Sequence, residues 1–353
     1  MRSLLLAAPL LLAGCLPGSQ REIDRSLSAA DSASVALAAS VPVDTMAVVA
    51  TAEPPASTPF QLATSLAWVE PDTPRARLAV VDTQAEVLWW FSADGHPERP
   101  WRIPETSPFP YLAGVRGDTV VVLSRNDGGL AWLAPGRALR QMPTPPGATA
   151  ALVTDSLIVV RLGGGPIAAD TLAPTLVRLS ASGRVVARHP IQAPVWRAAG
   201  FIRLWDGDLV SLAGYRPVVD RVPLGAPEGT PTDTLALSGF TSPQLARSAQ
   251  FLRGEVSTPP LLTSSAVALG RRLLVLNLRA DGVRVDVYGP DGQIERVLVG
   301  PEPPAPLDVV AVDLAVRRVS GGVEIAVLMA RPGGLLQASG GRVVVYRWVT
   351  PEA

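Results

Sequence analysis

The chain contains no lysine. All 31 basic side chains are arginine, and 31 acidic ones balance them to a formal net charge of +0. A balanced chain presents no general field for a polyanion, so nucleic acid is excluded as an expected partner. Cysteine is almost as scarce. Cys15 stands alone, which rules out an intrachain disulfide and a cysteine-rich structural metal site. Histidine is limited to His96 and His189, each followed by proline. No G-x-S-x-G elbow, Walker-type phosphate loop, G-x-G-x-x-G turn or EF-hand spacing occurs. No metal and no cofactor are therefore expected. Also missing is any apolar run long enough to span a bilayer.

What is present points to a large folded core. Hydrophobic residues make up 48% of the 353-residue chain, charged residues 18%, and mean hydropathy is +0.27, unlike a disordered chain. Gly 31 and Pro 35 are the counts of a chain that turns often.

The first residues, MRSLLLAAPLLLAGC, combine Arg2, a short apolar run and small residues ahead of the cysteine. That is the layout of an export signal rather than a membrane span. Leu12, Ala13, Gly14 and Cys15 resemble the lipobox of bacterial lipoproteins. The resemblance implies a signal peptide over 1–14, cleavage before Cys15 and diacylglyceryl attachment to its thiol. Multiple acyl chains on one residue give stable anchoring. By the same resemblance, Leu16 in the next position implies the outer membrane, facing the periplasm or the cell surface. Residues 15–40, rich in Ser and Ala and free of aromatics, read as a lipidated flexible tether with at most a transient helix. Residues 41–353 remain for one folded domain.

From about residue 60 the chain consists of short β-rich runs closed by turn signals, with Asp-Gly pairs at 94–95, 206–207, 281–282 and 291–292. Long helices are lacking, which excludes a doubly wound parallel sheet. One device recurs: a strand, a glycine-containing turn, a polar outer strand and a proline. It appears as LAWLAPGRALRQMP (130–143), LVRLSASGRVVARHP (176–190) and VDVYGPDGQIERVLVGP (285–301), with a longer copy at 88–104. A further hairpin precedes each copy, so the repeating unit is a four-stranded sheet. Six units are read at about 60–104, 110–143, 148–190, 198–240, 262–301 and 307–349. A unit of this kind buries both faces only against its neighbours, and a radial array leaves few edges. The expected fold is all-β: a six-bladed β-propeller of four-stranded antiparallel blades. Its rhythm resembles the loosely defined NHL-like group. The last unit is one strand short, and the alternating VPVDTMAVVA (41–50) is expected to close that blade from the N-terminal side. Residues 241–254 interrupt the pattern as a short helix, with Ser242 at the N-cap, Pro243 next and Gly254 past the end.

Candidate binding residues follow from position in the unit. Arg125, Arg161, Arg216, Arg279 and Arg331 each fall at or just past the end of a second strand, on one face near the channel mouth. A ring of guanidinium groups there would suit carboxylate or phosphate groups. The first unit has VVDTQAE instead, and ordinary surface arginine is the competing reading. Trp101 and Trp196 fall in returns between units and are candidates for stacking on a ligand, whereas the other tryptophans read as filler between blades. The histidines read as solvated loop residues in separate hairpins.

The functional expectation is a lipid-anchored cell-envelope module, binding or scaffolding in character, that engages an anionic small molecule or a partner protein. It is held at the membrane through its lipid. The alternative is a propeller enzyme, a lyase or glycan hydrolase, using loop carboxylates on one face. The shortage of catalytic residue types favours binding over an enzyme, since fold alone decides nothing about function.

Overall fold

A computed structural model describes residues 32–124, 129–134, 136, 139–163, 174–193, 200–279, 282–301, 310–330 and 341–349. The chain enters through a short helix α1 (residues 32–40), then β1 (Val43–Thr45) and β2 (Ala47–Ala52). Four strands make the first blade: β3 (Ala63–Val69), β4 (Arg77–Asp82), β5 (Val87–Ser92) and β6 (Trp101–Arg102). The second comprises β7 (Pro110–Arg116), β8 (Thr119–Ser124), β9 (Gly129–Leu133) and β10 (Arg140–Pro143). In the third are β11 (Ala148–Val153), β12 (Ile158–Leu162), β13 (Thr175–Leu179) and β14 (Val185–Pro190). The fourth holds β15 (Gly200–Trp205), β16 (Asp208–Ala213), β17 (Val218–Pro223) and β18 (Asp233–Ala236), and helix α2 (Leu245–Leu252) follows it. Next come β19 (Thr263–Leu269), β20 (Arg272–Asn277), β21 (Arg284–Tyr288) and β22 (Ile294–Val299). The last blade has β23 (Val310–Val319), β24 (Gly322–Ala330) and β25 (Gly341–Trp348).

Within every unit, consecutive strands pair antiparallel. The turns use the chemistry read from sequence. Asp206 and Gly207 both take positive φ, +49° and +87°, the conformation of the tight hairpin turn whose twist suits its flanking strands. The innermost strands β3, β7, β11, β15, β19 and β23 touch in that cyclic order, and β23 returns to β3. This is a propeller-like ring.

The ring explains why the middle strands are apolar on both faces. Val120–Leu123 of β8 and Leu273–Leu276 of β20 are fully buried, because each blade is sandwiched between two others. Six hydrophobic clusters fill the six gaps between consecutive blades. Trp90 fills the gap between blades one and two, Trp89 the gap behind it, and Trp132, Trp205 and Trp348 serve other gaps. The outer strands face water and show it: Val185, Val186, Arg188 and Pro190 of β14 are exposed while Ala187 and His189 are not.

The N-terminal segment closes the sixth blade as expected, since β2 pairs antiparallel with β25 from Ala47–Arg347 to Ala52–Val343. It also does something the sequence does not announce. Just ahead of β2, β1 pairs parallel with β22 of the fifth blade. Between the two strands, Met46 plugs the gap between blades five and six at 1% exposure. The carboxylate of Asp44 accepts two hydrogen bonds from Arg296 of blade five, both 2.8 Å, and one from the Trp348 indole of blade six, also 2.8 Å.

Two sequence expectations are corrected. His189 is not a solvated loop residue. It lies buried in β14, under residues 229–232 of the fourth blade, with Nδ1 3.2 Å from the Thr230 carbonyl. Residues 32–40 form α1, whose Leu37 packs on the cluster between blades four and five; residues 15–31, including Cys15, lie outside the described residues. Helix α2 begins three residues after Ser242, whose hydroxyl accepts from the Gln244 N–H at 3.2 Å, and Gly254 ends it at φ +76°.

Candidate functional site

Among the described residues, the arginines singled out by sequence lie in three separate settings. Arg125 and Arg331 lie outside the described residues, as does Trp196. Arg161 is buried at 2% exposure between blades three and four, donating Nε to the Thr149 hydroxyl at 3.2 Å and Nη1 to the Ser211 hydroxyl at 3.3 Å. Arg216 is half-buried in a groove between α1, α2 and blades four and five, beside Leu37, Phe240 and Leu245. Arg279 sits near the fully buried Asp286 and favours its ionised form. Burial still pushes that carboxyl above its ordinary value, against the pull of Arg284, which bonds it at 2.7 Å, Asn277 at 2.9 Å, and Arg279. Trp101 lies on the outer strand β6 and packs on Trp90, ring centroids 4.8 Å apart. At the matching position of blade one, Asp82 caps its own turn through the Ala85 N–H and holds the entry to β3 by accepting the Gln61 and Leu62 N–H groups.

The inner strands build a different site. A cavity of about 560 Å3 lies on the ring axis and is walled by all six of them. The wall is chiefly apolar, with Leu112, Leu152, Phe201, Val267 and Val312 turned toward it. Five of the six inner strands carry a bulge near the same level, leaving Thr64, Ala113, Thr149, Ser264 and Val312 as the extra residues. An extra residue strengthens local twist and re-aims neighbouring side chains. In the fourth blade Gly200 takes this place, and a Cβ there would sit 1.6 Å from the Leu212 carbonyl oxygen.

Polar links tie neighbouring inner strands around this cavity. The Leu112 N–H donates to Ser65 across blades one and two at 3.0 Å. Gly114 meets Val153 backbone to backbone between blades two and three. Asp313 of β23 receives the Leu66 N–H of blade one at 2.8 Å and the Ser265 hydroxyl of blade five, besides the Leu314 N–H at 3.0 Å. Arg203 of β15 donates Nε to the Ala266 carbonyl of blade five and Nη1 to the Ile202 carbonyl at 2.8 Å.

Asp313 and Arg203 are the charged residues of the cavity wall among the described residues. Burial pushes the Asp313 carboxyl above its ordinary value, opposed by the Arg203 charge and its hydrogen-bond donors. Burial likewise draws Arg203 below the usual guanidinium range, and the Asp313 charge pulls it back up. Arg203 lies deep in the molecule yet keeps accessible surface, because the cavity reaches it. Its guanidinium carbon stands 5.5 Å from the centre of the Phe201 ring. Neither residue is among those the sequence singles out. The signal was a lone charge inside an apolar strand, FIRLW for Arg203 and AVDLAV for Asp313.

No protein-family model matches the chain, and no curated protein sequence matches it. Solved structures of β-propeller proteins do. The calcium-binding protein regucalcin from Agrobacterium tumefaciens is similar over 87% of this chain and 96% of its own, at 14% identity and a TM-score of 0.54. A catalytically inactive virginiamycin B lyase from Staphylococcus aureus, with quinupristin, is similar over 85% and 98%, at 9% identity and 0.50. BamB from Moraxella catarrhalis is similar over 82% and 86%, at 13% identity and 0.39. Likeness at these identities establishes the fold alone, and the calcium-binding protein and the lyase put that fold to different ends.

Proposed function

We propose that this chain is a lipid-anchored binding or scaffold module of the bacterial cell envelope, and that its ligand is a small molecule seated on the ring axis. The axial cavity carries this reading. It has the size and chiefly apolar wall of small-molecule sites, with a few polar groups placed to orient a guest. Anchoring rests on the lipobox-like LAGC at 12–15, and Leu16 after it favours the outer membrane by the same resemblance. The enzyme reading draws less support. Two-carboxylate glycan hydrolysis needs a pair of acids across the reacting bond, and Asp313 is the one acid among the described residues lining the cavity.

The test uses N-phenylnaphthylamine, a neutral dye whose fluorescence rises in apolar surroundings. The protein should bind it saturably, one per chain. Ala67 faces the cavity from β3, so Ala67→Trp should fill the space and abolish binding while the ring stays folded. Equal binding by both proteins would remove the axial site.

A further inference from the structure

We infer that Arg203 is the anion-recognising residue of the axial cavity, and that the cavity takes an apolar molecule bearing one anionic group. This rests on the axial-site reading above and names the class of ligand. Arg203 lines the cavity, and its surroundings divide the guanidinium in two. Nε and Nη1 are engaged by the Ala266 and Ile202 carbonyls, which fix the plane of the group. Nη2 has no protein partner among the described residues, so its donors are left toward the cavity. A guanidinium held by its own backbone contacts with one nitrogen unused is preorganised for a carboxylate, sulfonate or phosphate oxygen. Phe201 packs beside it, and the apolar residues of five other strands supply the rest of the wall.

Asp313 does not consume this capacity. Its two oxygens are occupied by the Leu66 N–H, the Ser265 hydroxyl and the Leu314 N–H. It therefore serves the joint between blades five, six and one, and Arg203 faces the guest. Arg203 differs in this from the five strand-end arginines. Of those, the three described ones sit in a blade interface, in an outer groove and beside a buried carboxylate.

The experiment compares two matched dyes, neutral N-phenylnaphthylamine and its sulfonate analogue anilinonaphthalenesulfonate, on the full chain and on Arg203→Gln and Arg203→Lys. The natural protein should prefer the sulfonate by on the order of tenfold or more, the range of a charge-assisted hydrogen bond. Arg203→Gln should bring that ratio to about one, and Arg203→Lys should keep part of it. The neutral dye should bind all three alike, which also reports that the cavity is intact. Ala67→Trp should block both dyes. If the neutral dye binds in the cavity but the sulfonate shows no preference, or keeps it in Arg203→Gln, the role of Arg203 is refuted while the axial site stands. If neither dye binds in the cavity, the axial site falls and the role of Arg203 with it.

Discussion

Met46 gives the sharpest test of how the ring is closed. It occupies the single position between β1 and β2, its N–H bonds the Val299 carbonyl at 2.8 Å, and its side chain sits among Leu298, Tyr346 and Trp348. Truncating a buried methionine to alanine costs about 2–5 kcal/mol, depending on how far the surroundings collapse. The segment lies at a sheet edge and can shift inward, so the lower part of that range, about 2–3 kcal/mol, is expected for Met46→Ala. Val48, two residues along and 49% exposed, is the internal control; Val48→Ala should change stability by less than about 0.5 kcal/mol. With 353 residues and about 2.1 cal/mol/K of unfolding entropy per residue, the total is on the order of 0.7 kcal/mol/K. The loss then corresponds to a fall in Tm of about 3–4 °C for Met46→Ala against less than about 1 °C for Val48→Ala. Calorimetry on the two variants measures both. Equal melting temperatures would mean that the N-terminal segment lies against the ring without holding it shut.

Three further outcomes are expected. Burial raises the Asp313 carboxyl in the folded chain, so the stability it contributes is complete below the ordinary value of about 3.9 and is lost as pH rises through the raised one. Asp313→Asn should flatten that limb of a plot of Tm against pH; an unchanged slope would remove Asp313 as its source. A Cβ on Gly114 would come within 2.0 Å of the Val153 carbonyl oxygen, whereas one on Gly129 meets nothing nearer than 3.8 Å. Gly114→Ala should thus cost about 1–3 kcal/mol by forcing blades two and three apart, with Gly129→Ala much milder in the same urea titration. Cys15→Ser should move the protein from the membrane to the soluble fraction, and persistence at the membrane would count against lipid anchoring.

The repeating units were legible because hairpin turns and apolar strands recur on a fixed rhythm. The unit read at 110–143 matches β7 to β10 end to end, and the one at 148–190 matches β11 to β14. The closing role of 41–50 was legible from its alternation and from the missing strand of the last unit. The three-residue strand β1 was not, since Val43–Thr45 is too short to carry a period. The run VRVDVY alternates apolar and polar residues, a pattern that by itself fits one dry and one wet face, yet Asp286 and Tyr288 are fully buried, because a blade inside the ring has no wet face. For the described strand-end arginines, position in the unit says less than it promises, for a related reason. Strand-end position fixes the level of a residue along the axis but not the direction of its side chain, and Arg161 turns sideways into the next blade. Arg203 and Asp313 were visible as isolated charges in apolar strands, a signal that reports burial and says nothing of the cavity until the ring is assembled.

The pairing of β2 with β25 joins Ala52 to Val343, positions 291 apart in the chain. During synthesis the segment that completes the circle is therefore made first and waits for nearly all the rest. Contacts of such long separation form slowly, because loop-closure entropy precedes any reward. Until then the edges of β22 and β25 are open to other strands. The circle therefore cannot be completed before β25 is made, and until then the earlier blades present an open edge.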